Sequence, residues 1–366
     1  GLFASADCEA GRLLLVSRAF VLAPKGELEE ATTAAVSAAP AKLRRRFGAL
    51  AGGVEESAAD ELGFWCDAMP EATTRVAPMP AAGAITRILE RNTFAFTQTD
   101  ECQGTRPSKF AGLWLTPSLL NHDCAPNTTG TFLGDTLFVR ASRHIRAGEE
   151  VTFSYCKSTW TRAERQRKLL GYGFTCDCLR CKLEAYISEG TRVAAAKLES
   201  RFRLASVREA PDLARKAVIL ANFAEIDVAA AAPAELRASA EACGLDVGSI
   251  MLAVHFDIFM AHIVALGQND PKAIRASERL VESMAAVLPG SPGHAFCCHC
   301  ALAAHGARPL SRGTLAAAAA RARCVHIQCY GGGDGLWHHR LRGSLAAPFV
   351  QAAAAGTAPL GRPLNP

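Results

Sequence analysis

Four cysteines constrain this chain more tightly than any other feature. Cys176, Cys178 and Cys181 fall at C-x-C-x-x-C spacing, and Cys124 stands 52 residues before the first of them. Three thiols so close in sequence cannot close a coordination sphere alone. A tetrahedral tetrathiolate site, with Zn–S near ~2.3 Å, needs a fourth sulfur from elsewhere and leaves no open position, so its metal is structural. Cys124 is the candidate fourth ligand. Four thiolates and one Zn²⁺ sum to a net negative charge. The stretch from Lys157 to Lys182 answers with Lys157, Arg162, Arg165, Arg167, Lys168, Arg180 and Lys182 against Glu164 and Asp177. Cations beside thiolates favour their charged form, although a solvated helix face accounts for most of these residues equally well. A zinc knuckle used only for binding is the other reading of the four thiols.

Composition narrows the class. A chain of 366 residues with 49% hydrophobic content buries a large core and implies two domains. A net charge of +5 is too mild for direct nucleic-acid binding to be expected. Fourteen unevenly spread cysteines in a chain this long fit a reduced compartment better than a secreted disulfide scaffold. The opening Gly1-Leu2-Phe3-Ala4-Ser5 lacks the charged and apolar regions of a signal peptide. The most apolar run, Ile250 to Leu266, is interrupted by His255, Asp257 and His262, which predicts a buried helix rather than a membrane span. A soluble, monomeric protein of the cytoplasm or nucleus is expected, with no membrane association.

Along the chain, Leu13–Val16 and Ala19–Leu22 read as short strands, Glu27–Met69 as helical, Pro70–Gly83 as a connector and Ile85–Asn92 as helical again. Thr131–Leu133 and Leu137–Val139 flank a Gly134-Asp135 turn, the pattern of a hairpin. Val151, Phe153 and Tyr155 alternate on what reads as one strand face. Thr161 and Glu164 match a capping box, with Gly171 the C-cap of the short helix that follows. After Glu184 strand signals fade, and helical patterns are punctuated at Pro211, Pro233, Gly244, Pro271, Pro289-Gly290 and Pro292-Gly293, as in antiparallel helix pairs.

The block Asn121-His122-Asp123-Cys124-Ala125-Pro126-Asn127, then Gly148 to Tyr155, then Cys176 to Cys181, resembles the catalytic core of SET-domain protein lysine methyltransferases. It is most similar to the SET and MYND domain-containing group. The resemblance implies an α+β fold: a SET-type β-clip core with a pseudoknot and a post-SET zinc site, then an all-α helical C-terminal domain of tetratricopeptide-like kind. It divides the chain into a SET domain over 1–156 (core strands in 1–23 and 85–156, a helical insert over 24–84), a post-SET zinc segment over 157–183, a helical domain over 184–345 and a disordered tail over 346–366. The MYND module is not expected, because Pro24 to Asp100 holds Cys66 alone.

The implied function is transfer of methyl from S-adenosylmethionine to a lysine amine of a protein substrate, histone or non-histone. By that likeness Asn121 and His122 contact the methyl donor, Tyr155 takes the catalytic tyrosine position and also borders the donor, and Phe174 stacks on the adenine. Tyr172 lines the lysine channel, Asn92 is a further donor contact, and Phe153 limits the number of methyl groups. Gly1-Leu2-Phe3 matches the end of the family's G-x-G-L-F opening, which places Gly1 and Leu2 in the donor cradle. Zinc on Cys124, Cys176, Cys178 and Cys181 pins the post-SET loop to the Asn-His segment. The chemistry asks for such groups: a lysine amine, with an ordinary pKa of about 10.4, must lose a proton before it attacks carbon, and a narrow aromatic channel disfavours its ammonium form. The competing reading is a non-catalytic SET-fold adaptor that binds partners through its helical domain.

Two further motifs carry weaker expectations. Phe296-Cys297-Cys298-His299-Cys300 is metal-like in composition, but consecutive residues of a helix point in different directions. Cys329 to Gly335 is glycine-rich yet lacks the lysine and hydroxyl of a phosphate loop.

Overall fold

A computed structural model of the chain describes residues 1–53, 80, 82–98, 108–266, 270–306 and 312–331. Among these, nine short strands form three separate three-stranded sheets. The strands are β1 (Leu2–Phe3), β2 (Leu13–Arg18), β3 (Val21–Pro24), β4 (Phe94–Gln98), β5 (Ser108–Leu113), β6 (Asn121–His122), β7 (Thr128–Leu133), β8 (Thr136–Ala141) and β9 (Glu150–Phe153). The sheet orders are β1-β9-β6, β2-β8-β7 and β3-β5-β4. The hairpin read around Gly134 is β7–β8, closed by Leu133↔Thr136 with Gly134 at φ 59°. Alternation along β8 buries Leu137, Val139 and Ala141. Trp114, fully buried, wedges between Phe94 and Phe132 at ring distances of 5.7 and 5.1 Å and ties the sheets into one core.

Three helices, α1 (Leu28–Ala38), α2 (Ala41–Gly48) and α3 (Ala82–Asn92), share an apolar cluster with the β3-β5-β4 sheet through Val36, Phe47, Ile85, Ile88 and Leu113. Of the expected Pro70–Gly83 connector, Ala82 and Gly83 already belong to α3, and most of the rest lies outside the described residues, as do Cys66 and the expected tail.

Past the strands come α4 (Arg162–Leu170), α5 (Leu179–Glu184), α6 (Glu189–Phe202), α7 (Ala210–Ala231), α8 (Ala234–Ala242), α9 (Val247–Val254), α10 (Phe256–Leu266), α11 (Pro271–Val287), α12 (Pro292–Gly306) and α13 (Arg312–Tyr330). No strand follows Phe153 among the described residues. The punctuation has physical content: Pro211, Pro271 and Pro292 fall in the first turns of α7, α11 and α12, where the missing N–H costs nothing. The buried face of α7 carries Ala214, Ala217, Ala221 and Ala224, small enough for α9 and α10 to approach closely.

The apolar run from Ile250 to Leu266 is not one helix. It breaks at His255 into α9 and α10, bent by 69°. His255 is fully buried and its Nδ1 lies 2.6 Å from Glu199 Oε1, a hydrogen-bonding contact that a straight apolar span has no use for. Among the described residues no single helix is long and apolar enough to cross a membrane; the bent pair passes by length and composition alone, and Ile250, Ala253, Ile258 and Phe259 belong to the helical core. Finally, α13 returns to the sheets, with Thr131 Oγ1 donating to the Cys329 carbonyl at 3.4 Å.

Candidate active site and metal centre

The site is built on two strands that run parallel, β6 and β9, paired Asn121↔Thr152 and His122↔Phe153. Two-residue strands have little stability of their own, and Asn127 supplies what they lack. Its side chain accepts from Thr152 N at 2.8 Å and donates to the Glu150 carbonyl at 2.8 Å, acting as a surrogate peptide unit against β9. Asp123 Oδ1 accepts from Ala125 N at 2.7 Å and sets the turn between Cys124 and Asn127. The N-H-x-C-x-P-N block is therefore a rigid bracket along β9.

Beyond that bracket the four sulfurs converge. Cys124, Cys176, Cys178 and Cys181 present their Sγ atoms within 4.8 Å of one another. Capping at Thr161, reciprocal with Glu164, starts α4, and the chain then turns through Gly173 at φ 88°, a left-handed conformation that disfavours other residues. Gly171, expected to carry the C-cap, is the cap but keeps ordinary helical angles; the turn falls two residues later. Gln166 then grips Cys176 by both ends, with Cys176 N donating to Oε1 at 3.0 Å and Nε2 donating to Cys176 O at 2.6 Å.

Two of the seven cations read from the sequence are not solvated. Arg165 and Arg180 are fully buried, both paired with Glu184, and Arg165 Nη2 also donates to Cys181 Sγ at 3.7 Å. Arg180 holds the Cys124 and Ser158 carbonyls at 3.1 and 2.8 Å. Hydrogen bonds from Cys124, Cys176 and Cys178, aided by Arg165, push the Cys181 thiol far down, while contact with Cys156 pushes that of Cys124 up. A tetrathiolate with buried guanidinium counter-charge suits a soft divalent ion such as Zn²⁺.

On the near side of His122 lies an aromatic group. The His122 and Tyr155 rings are 5.2 Å apart, Tyr155 and Tyr172 5.2 Å, His122 and Phe174 6.1 Å, and Tyr155 and Phe174 6.5 Å. Tyr155 lies two residues past the end of β9 rather than on the expected strand face. Its N–H donates to His122 Nδ1 at 3.0 Å, which leaves Nε2 as the protonated nitrogen facing Cys124 Sγ at 3.2 Å. Its hydroxyl donates to the Leu120 carbonyl at 2.5 Å, and burial, with Tyr172 and Glu150, pushes its pKa up to about 12.

A cavity of about 420 Å³ opens against Tyr155, lined also by Phe94, Phe132, Phe153, Tyr172 and Asn92. Phe153 fits because Gly130 has no side chain: a Cβ there would sit 2.8 Å from its ring. Asn92 is turned inward, donating to Ala51 O and Ile88 O at 2.9 and 2.8 Å. Asn121 donates to Glu150 Oε1 at 2.7 Å, and Gly1 backs onto the same pair, where a Cβ would lie 2.8 Å from the Asn121 amide. Leu2 pairs with Val151. The structure thus gathers His122, Tyr155, Tyr172 and Phe174, sets Leu2 and Asn121 on the β1-β9-β6 sheet with Gly1 against its Asn121–Glu150 pair, and leaves Asn92 lining the cavity.

Residues 1–156 match the family model for the SET domain. This chain carries a SET domain. Stretches of the chain are also similar to named relatives. The mouse histone-lysine N-methyltransferase SMYD3 is 42% identical over 84 residues, 23% of this chain and 20% of that protein. The yeast Scheffersomyces stipitis histone-lysine N-methyltransferase SET5 is 42% identical over 97 residues, 24% of this chain and 20% of its own. The human protein-lysine N-methyltransferase SMYD4 is 44% identical over 78 residues, 20% and 10% respectively. The matches therefore span a fifth or less of these relatives' lengths.

Sequence reasoning missed one residue of this SET domain's metal side. Cys156 lies with His122 and Cys124, the three ligand atoms within 4.8 Å of one another. Its contact with Cys124, with His122 and Arg165 adding, lowers its thiol to about 5. The signal was present, a cysteine beside the candidate catalytic tyrosine, but nothing in its spacing tied it to the triplet.

Proposed function

We propose that this SET domain methylates lysine side chains of proteins, using S-adenosylmethionine. One observation carries the reading: Tyr155 borders an aromatic cavity with Phe94, Phe132, Phe153 and Tyr172, while the His122 and Phe174 rings, which do not line that cavity, also surround it. A lysine chain enters the first, and the donor rests against the second. Asn121, His122 and Phe174 hold the donor and Gly1 and Leu2 border it, whereas Asn92, expected as a further donor contact, lines the lysine-side cavity with its amide turned inward. Phe174 is 36% exposed, so its face is open to a planar ring. When bound, the donor supplies an electrophilic methyl on a cationic sulfur.

Tyr155 acts by orientation. A phenol held near 12 is no base at neutral pH, but its oxygen and the Leu120 carbonyl it touches form an electron-rich rim suited to weak C–H···O contacts with the methyl. Deprotonation of the incoming amine is favoured by the aromatic wall and by Lys168, whose ammonium stands 5.0 Å above the Tyr172 ring at the cavity. Cys124, Cys176, Cys178 and Cys181 hold one structural zinc that fixes the Phe174 loop. The relatives are named for histone-lysine and protein-lysine transfer, in keeping with a protein substrate, histone or non-histone.

The test is transfer of labelled methyl from S-adenosylmethionine to lysate proteins. Tyr155→Phe is expected to lower the rate at least ~10-fold with donor binding retained, since the lost group acts only in the transition state. His122→Ala is expected to lose donor binding. No detectable donor binding by the intact protein would return the chain to the adaptor reading.

A further inference from the structure

The metal side of the site holds five thiols where a tetrahedral ion takes four. We propose that the fifth, Cys156, is a redox-modification site: a hydroperoxide joins its sulfur to that of Cys124 as a disulfide, displacing the zinc. The inference rests on the metal reading given above, and it concerns a residue that reading leaves without a task.

Three observations converge. The Cys156 and Cys124 sulfurs and a His122 ring nitrogen lie within 4.8 Å of one another, so the two sulfurs start within about 3 Å of the ~2.05 Å that a disulfide takes. Cys156 is half-buried, whereas Cys124 is fully buried; an oxidant from solvent meets Cys156 first and Cys124 second. The turn that presents it is clamped on both sides, by Ser154 Oγ donating to Cys156 O at 2.8 Å and by Tyr155 N donating to His122 Nδ1 at 3.0 Å.

The step balances. Cys156 sulfur attacks the peroxide O–O bond, forming S–O and releasing one water. Cys124 thiolate, leaving the metal, attacks the sulfenic sulfur; S–S forms, S–O breaks, and the departing hydroxide takes a proton from solvent to become a second water. The two sulfurs together lose two electrons, the Cys156 thiol and solvent supply one proton each, and hydrogen peroxide is reduced to two waters. The crosslink removes the thiolate facing His122 Nε2, on the same imidazole that accepts from Tyr155 N. Oxidation therefore loosens the metal and the tyrosine together.

The experiment treats the zinc-loaded full chain with a few equivalents of hydrogen peroxide, following zinc release with a chromogenic chelator and mapping disulfides by non-reducing peptide mass spectrometry. The expected result is a Cys124–Cys156 peptide appearing in step with one zinc released, both reversed by dithiothreitol and added zinc. Cys156→Ser is expected to lose that peptide and to release zinc at least ten-fold more slowly. Disulfides confined to Cys124, Cys176, Cys178 and Cys181, or zinc release equally fast without Cys156, would overturn the proposal. The mapping needs only wild-type protein, so a poorly folding variant does not block it. A chain that methylates no protein but forms the crosslink sinks the methyltransferase reading and leaves this one standing.

Discussion

Two thiol-rich stretches of this molecule have opposite fates. Cys176, Cys178 and Cys181 meet Cys124 in one cluster, while Cys297, Cys298 and Cys300 are spread around α12. Both sets are largely buried, so burial does not separate them. Backbone does. The segment from Thr175 to Cys178 is non-helical, and two residues of such chain return a side chain to the same side. In α12 each residue turns by about 100°, so adjacent sulfurs face different neighbours. Burial, with Glu278 and neighbouring thiols adding against Arg321, pushes the Cys298 thiol up to about 12, and burial alone pushes that of Cys300 up to about 11, so they behave as small apolar side chains. A metal site is a matter of direction before it is one of composition.

The largest effect that would break this contrast is on metal content. Cys178→Ser should take zinc from one per chain to none by elemental analysis and unfold the segment around residues 172–184 in hydrogen exchange, since structural zinc carries roughly 10–16 kcal/mol in small sites. Cys298→Ser should leave the zinc count at one; a count that fell would erase the distinction. Next comes the counter-charge. Arg165→Met takes from buried Glu184 one of its two guanidinium partners, leaving Arg180 alone, and should cost up to about 3–5 kcal/mol in chemical denaturation, while Arg167→Met, on the exposed face of the same helix, should stay within about 0.5 kcal/mol.

High pH probes the aromatic side. Tyr155 keeps its proton in the folded state up to about 12, whereas an unfolded tyrosine ionises near 10. The folded state therefore binds more protons in that window. Stability conferred by this group is complete below pH ~10 and should fall by about 2–3 kcal/mol as pH rises to ~12, a loss absent from Tyr155→Phe. A smaller loss than that of Tyr155 is expected in α12: Cys298→Ser should lower stability by about 1–2 kcal/mol in chemical denaturation, the cost of burying a hydroxyl in place of a thiol.

Much of this was legible in the sequence, for identifiable reasons. The Thr161–Glu164 capping box, the Gly134 hairpin and the proline-opened helices are local events, fixed by residues a few positions apart, and each stands where it was read. The meeting of Cys124 with the triplet was legible because metal chemistry demands four donors. What escaped is non-local. Arg165 and Arg180 looked like part of a solvated run, because only the fold reveals that Glu184 lies beneath them. Cys156 looked ordinary because its partner stands across β9. The break at His255 escaped because hydropathy registers a polar residue but not the Glu199 carboxylate that awaits it.

The docking of α13 on the β7–β8 hairpin has a kinetic consequence. Thr131 and Cys329 are 198 positions apart, so this edge stays uncovered through most of synthesis. Contacts of such separation close late and slowly, and a nascent chain paused before Arg312 leaves the β7 flank bare until the closing helix arrives.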